Sequence, residues 1–150
     1  MDEPTVQPPS LTALTTYLLS RTGKAARQRL AERLAGRGLR LWHMAVLAAL
    51  ADFGPHAQRD LALRLAIDPS DIAKIVEDLG TLGHVERVRD AADRRRVTVA
   101  LTETGRATLA ELNAEEAAVQ DELLAPLTAA ERKQLTAMIS RVFMNLPPAR

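Results

Sequence analysis

The sequence predicts a mostly α-helical chain with one small β-hairpin: a winged helix-turn-helix flanked by helices at both ends. Three observations predict it. Two short helical stripes within residues 58–82 meet at the punctuation Ile67-Asp68-Pro69. Immediately afterwards the apolar spacing switches from the helical period to a period of two. Helical segments on both sides of this unit carry more apolar positions than so small a core can bury.

The chain begins with Pro-containing residues 1–9, expected to fray, as are residues 147–150. Ser10 is the expected N-cap of a first helix reaching about Leu34, with Leu11, Leu14, Leu18, Ala25, Leu30 and Leu34 as its apolar stripe. Gly36 and Gly38 end it. A second helix, Leu41 to Asp52, is apolar nearly all round and is expected to be buried, with Gly54-Pro55 as its stop. Leu61 and Leu65 mark a third helix at i, i+4 spacing. The fourth opens with Asp68 as N-cap, Pro69 at the first helical position and Asp71 at the third. It continues through Ile72, Ile75, Val76, Leu79 and Leu82 to Gly83, a residue suited to a left-handed C-cap. Residues 84–89 then read as one strand. Val97, Val99 and Leu101 alternate with Thr98 and Ala100 as a second, and Asp90 to Arg96 form the hairpin tip. Thr102 caps a long helix from Glu103 to about Leu124, marked by Leu109, Leu112, Val119 and Leu123. Pro126 interrupts, and a last helix carries Leu135, Met138, Ile139, Val142, Phe143 and Leu146.

With 150 residues the chain is one domain's worth, and 47% apolar against 26% charged residues marks it as globular rather than disordered. There is no cysteine, which excludes disulfides, thiolate nucleophiles and Cys-ligated zinc. The longest apolar run, Met44 to Ala51, falls far short of the ~20 residues a membrane span needs. The acidic start Met1-Asp2-Glu3-Pro4 lacks the basic and apolar regions of a signal peptide, so a cytoplasmic protein without a membrane partner is expected.

The net charge is only +1, but the charges are segregated. Residues 21–40 hold seven basic side chains against Glu32, whereas residues 103–131 hold seven acids against Arg106. This arrangement predicts one anion-facing surface, with solvated helix faces as the equal alternative for residues 21–40.

Catalysis finds no support. His43, His56 and His84 form no ligand pair, and the sequence has no nucleophile elbow, phosphate-binding loop or dinucleotide fingerprint. No catalytic residue, metal or cofactor is expected. Nucleic-acid binding finds more. The second helix of the helix-turn-helix presents Ser70 and Lys74 on its outward face, able to reach base edges or phosphates. Asp71 projects there too, with capping as a simpler role than cytosine readout. At the wing, Arg89, Arg94, Arg95 and Arg96 suit the negative potential of a minor groove, and Asp93 is expected to orient Arg95 through a bidentate pair. Residues 58–96 nevertheless hold eight basic and eight acidic side chains, so one module alone binds double-stranded DNA weakly and two are needed. The flanking stripes offer a symmetric homodimer, or alternatively a closed monomeric core. The expected division is therefore 10–38 and 103–146 for dimerisation and 39–102 for the winged helix. A winged helix that docks protein instead of DNA is the alternative reading of the whole chain.

The runs Leu61-Ala62-Leu63-Arg64-Leu65, Asp68-Pro69-Ser70-Asp71-Ile72, Gly83-His84-Val85-Glu86-Arg87, Asp90-Ala91-Ala92-Asp93-Arg94-Arg95-Arg96-Val97 and Leu101-Thr102-Glu103-Thr104-Gly105 together resemble the MarR family. The resemblance spans about residues 39–110, with Leu41-Trp42 to Leu50 as the helix before the helix-turn-helix. It implies a homodimeric winged-helix transcription factor, usually a repressor, released from DNA by a small aromatic or phenolic effector. Asp93 and Arg95 match the family's wing pair, with the arginine in the minor groove; Ser70 and Lys74 match base-contacting positions. The family's effector pockets, where the dimerisation helices meet the winged helix, imply a site near Tyr17, Arg21, Trp42 and His43. Two positions depart: Ala57 stands where the family often caps a helix with Thr or Ser, and Ala73 where it often has a polar residue.

Overall fold

A computed structural model of the chain describes residues 6–148. Seven helices and one hairpin follow in the order α1 (Pro9–Thr12), α2 (Thr15–Ala35), α3 (Leu41–Phe53), α4 (Gln58–Leu65), α5 (Pro69–Thr81), β1 (Val85–Arg89), β2 (Val97–Leu101), α6 (Glu103–Leu123) and α7 (Ala129–Met144). The hairpin is antiparallel, with Val85 opposite Leu101 and Arg89 opposite Val97. Of the ends expected to fray, residues 1–5 and 149–150 lie outside the described residues.

The single N-terminal helix expected from Ser10 is two. Pro9, at N1 with its φ already set for a helix, starts α1 one residue earlier, and no side chain caps it. Leu14 then turns extended (φ −94°, ψ 121°) and α2 begins afresh. At its far end Gly38 takes φ +71°, which lets the Leu39 N–H donate back to the Leu34 carbonyl at 3.0 Å.

The core forms around α3, whose Val46, Leu47 and Leu50 are fully enclosed by Leu34, Leu61, Ile72, Val76, Leu79, Leu109 and Leu112. Burial of each such side chain stabilises by about 1.5–3 kcal/mol. α5 ends as expected: Gly83 is left-handed (φ +78°) and the His84 N–H donates to the Leu79 carbonyl at 2.9 Å. Thr102 caps α6 by accepting from the Gly105 N–H at 3.0 Å, and its hydroxyl donates to the Gly83 carbonyl at 2.6 Å. Gly105 lies so close to β1 that a Cβ there would stand 2.0 Å from the His84 carbonyl oxygen. The Leu-Thr-x-x-Gly run thus seals the hairpin's base to the start of α6.

The expected alternation in β2 holds only in part. Val99 is buried, but Val97 is exposed at the hairpin's outer end opposite Arg89, and Thr98 is buried with its hydroxyl donating to the Val88 carbonyl at 3.3 Å. The loop after α3 also joins the sheet. His56 and Val99 exchange backbone hydrogen bonds of 3.0 and 2.7 Å.

The basic and acidic segments meet over part of their length. Arg33 donates to Glu115 (2.8 Å) and Glu122, and Arg37 to Glu111 and Glu115 (3.3 Å), locking α2 against α6. α7 opens with Thr128 and Glu131 capping each other and buries no residue. No helix among the described residues is long and apolar enough to cross a membrane.

Candidate nucleic-acid interface

α4 and α5 meet through the turn Ala66-Ile67-Asp68. The Asp68 carboxylate accepts from the Ser70 hydroxyl at 2.6 Å and from its N–H at 2.8 Å, bonds that hold its carboxyl below the ordinary carboxylate range. Asp68 is thus the cap, as expected, and Asp71, exposed one turn on, is not needed for it. Ser70 is exposed, but its hydroxyl proton is committed to Asp68, leaving the oxygen as an acceptor. Lys74 is exposed one turn beyond Ser70, on the face opposite the buried Ile72, Ile75 and Val76.

The wing tip is braced by two acids. Asp90 accepts from the Ala92 N–H at 2.8 Å and Asp93 from the Arg95 N–H at 3.0 Å, while the Arg96 N–H donates to the Asp93 carbonyl at 2.9 Å. Asp93 therefore holds the backbone of the tip rather than the guanidinium. The expected bidentate pair is replaced by one long contact, Arg95 Nε to Asp93 Oδ1 at 3.8 Å, because that carboxylate is already engaged by the turn. The Arg95 side chain is 97% exposed and points away from the protein.

All four wing arginines are exposed, but they differ in what they meet. Arg89 donates to the Arg94 carbonyl at 2.9 Å, stiffening the tip from the opposite strand. Arg96 pairs with Asp60 in the first turn of α4. Asp60 carries no signal in the sequence that links it to a residue 36 positions away.

A groove of about 260 Å³ runs between the start of α3 and the outer face of α5, lined by Arg40, Trp42, His43, Asp71, Lys74 and Asp78 among others. Trp42 is half exposed along it. His43 is buried; its Nδ1 accepts from the Arg40 N–H at 2.9 Å, so Nε2 carries the proton and donates to Asp78 at 3.1 Å. Trp42 and His43 are thus brought together with Asp71 and Lys74 on the outer face of α5. Tyr17 and Arg21 lie apart on α2 and do not line this groove; the Tyr17 hydroxyl donates to the Gln7 side chain.

Residues 37–96 match the sequence profile of the MarR family. The HTH-type transcriptional repressor NicR of Pseudomonas putida is 44% identical over 63 residues, a stretch that covers 42% of this chain and 40% of that repressor's length. A probable transcriptional regulator from Pseudomonas aeruginosa superimposes with a TM-score of 0.70 at 30% identity, over 88% of this chain and 98% of its own. The chain belongs to the MarR family. CouR of Rhodococcus jostii RHA1, crystallised with p-coumaroyl-CoA, superimposes with a TM-score of 0.73 at 25% identity, over 95% of this chain and 100% of its own.

As a MarR-family winged helix the chain has two local peculiarities. α4 starts at Ala57 with no side-chain cap. Ala73 presents only a methyl group, half-buried, between Ile72 and Lys74 on the recognition helix. Neither position offers a polar side chain.

Proposed function

We propose that this MarR-family chain is a homodimeric repressor that binds a pseudo-palindromic DNA operator and is released by a small aromatic effector. Residues 39–102 carry the DNA contacts, with α5 in the major groove and the wing in the neighbouring minor groove. Residues 10–38 and 103–146 form the dimer, and residues 1–9 and 147–150 flank it. The observation that carries the reading is the wing tip: a fully exposed Arg95 on a turn braced by Asp93, directly after a helix-turn-helix. Ser70, Asp71 and Lys74 supply the recognition face, and Arg89 and Arg96 serve the wing at its outer end. The dimer is supported by α7, which buries nothing of its own yet carries Met138, Ile139, Val142 and Phe143 exposed. NicR's designation as a repressor supports the direction of control, and CouR's p-coumaroyl-CoA supports an effector with an aromatic ring. Trp42 and His43 are the residues proposed for that effector; Tyr17 and Arg21, expected beside them, do not line the groove they share. Such a regulator works in the cytoplasm, on the nucleoid when bound to DNA.

The test is fluorescence anisotropy on the intergenic duplex beside its own gene, at 50 and 200 mM salt. Saturable binding of one dimer per duplex, weakened by salt and surviving competitor DNA, is expected. Arg95→Ala should cut affinity about tenfold or more, and Lys74→Ala should lower the salt slope by about 1. Unchanged binding in both variants removes the groove assignment. Absence of binding at either salt favours a winged helix that docks protein.

A further inference from the structure

The inner part of the wing is held at several points. Thr102 and Gly105 seal its base to α6, Val99 exchanges backbone hydrogen bonds with His56 midway along β2, and Arg87 reaches the Gln58 side chain of α4 at 3.5 Å. The wing's outer end is fixed by a single residue, Arg96. The Arg96 N–H donates to the Asp93 carbonyl and its own carbonyl accepts from the Asp90 N–H, both at 2.9 Å, so Arg96 closes the tip. Its guanidinium meanwhile crosses to Asp60, at the third position of α4. The inner contacts fix the hairpin's root, and the crossing of Arg96 to Asp60 adds a hold at its outer end.

We infer that the Asp60–Arg96 pair is a strut that sets the wing's angle against the helix-turn-helix, and that Arg96 acts on DNA affinity through this position rather than by touching phosphate. The inference rests on the DNA-binding reading above. A half-exposed ion pair contributes little to stability, because water screens it and two long side chains must be held still. Its value lies in preorganisation: Arg95 reaches its groove only if the wing already stands at the right angle to α5. Arg96, though half exposed, has its guanidinium engaged by Asp60, whereas Arg95 makes only a 3.8 Å contact to Asp93.

Electrostatics and the strut predict opposite signs for Asp60. A carboxylate beside DNA repels phosphate, so its removal raises affinity if charge alone matters. Under the strut, Asp60→Asn weakens binding instead. The test uses a duplex selected from a random-sequence library on the purified chain. Asp60→Asn and Arg96→Gln are each expected to lower affinity about three- to fivefold. The double variant should be no weaker than either single one, since both remove the same pair. Arg96→Gln should leave the salt slope unchanged, and the Asp90 and Arg96 amides of the free protein should exchange faster in Asp60→Asn than in the wild type.

Unchanged or raised affinity in Asp60→Asn overturns the strut. So does additivity in the double variant, or a salt slope lowered by about 1 in Arg96→Gln, which would make Arg96 a phosphate contact. If the wild type binds and Arg95→Ala does not, while these variants behave as the wild type, only the strut falls. No selected duplex and no binding by the wild type would overturn the DNA-binding reading and the strut's role with it.

Discussion

Ala66 is the only non-glycine among the described residues with a positive φ (52°). It closes α4: the Ile67 N–H donates to the Ala62 carbonyl at 2.9 Å, a bond that requires the left-handed turn. A Cβ in that conformation costs about 1 kcal/mol, part of which glycine would lose again through the freedom of its unfolded chain. Ala66→Gly is therefore expected to stabilise by about 0.5–1 kcal/mol and to raise the melting temperature by about 1–4 °C. A thermal melt that moves down would show that this turn is not strained. At the same scale, the sequence made Arg95 and Asp93 legible as a pair by spacing, because a hairpin tip admits few conformations. It did not show which end of Arg95 the acid would hold. The backbone N–H lies nearer than the flexible guanidinium, and a turn has an unsatisfied donor to offer.

The clearest event between elements is the clamp of α2 on α6. The Arg33 and Arg37 guanidiniums hold the Glu115 carboxyl below its ordinary value of 4.5, and Glu115 and its neighbours hold both arginines above theirs. A carboxylate with a lowered pKa in the folded state contributes stability that is present above its unfolded value and lost as pH falls through the lowered one. The wild type should accordingly be more stable than Glu115→Gln at pH 7, and the difference should vanish as pH drops through the glutamate range. High salt should shrink it, since the pairs are partly exposed. Melting curves of both proteins at pH 7 and pH 3 check this; a constant difference would mean that Glu115 acts by packing alone. The same clamp accounts for part of the charge segregation, with Arg29, Arg33 and Arg37 facing the acids of α6. Opposite runs on two helices are most stable facing each other, and sequence distance hides that they are neighbours. From α3 onward the element order was readable, because Pro, Gly and Asp stand at the helix ends and the period changes at Gly83.

For the whole molecule, the unburied apolar surface decides most. Leu11, Leu14, Leu18 and Leu19 near the N-terminus and Met138, Ile139, Val142 and Phe143 on α7 are exposed in the single chain. A helix with no buried side chain gains almost nothing from tertiary packing and does not persist alone in water. A dimer is expected from light scattering at micromolar concentration. Phe143→Asp, which places a charge in that apolar surface, should shift it toward monomer. With one module per duplex in place of two, the salt slope of DNA binding should fall by about half. A wild type that stays monomeric at tens of micromolar would return the terminal helices to the alternative of a closed monomeric core.

The sequence by itself determined many local features of this protein: the caps of α5 and α6, the turn between α4 and α5, the hairpin and its arginine tip. Each depends on a handful of adjacent residues whose backbone preferences or side-chain bonds act within one turn. Only the tertiary structure decided which charges neutralise each other across α2 and α6. It alone broke the first helix at Leu14, drew His56 into the sheet, buried Thr98 in place of Val97 and joined Arg96 to Asp60. Those outcomes depend on which surfaces the core brings together, and packing many elements at once leaves no periodic trace along the chain.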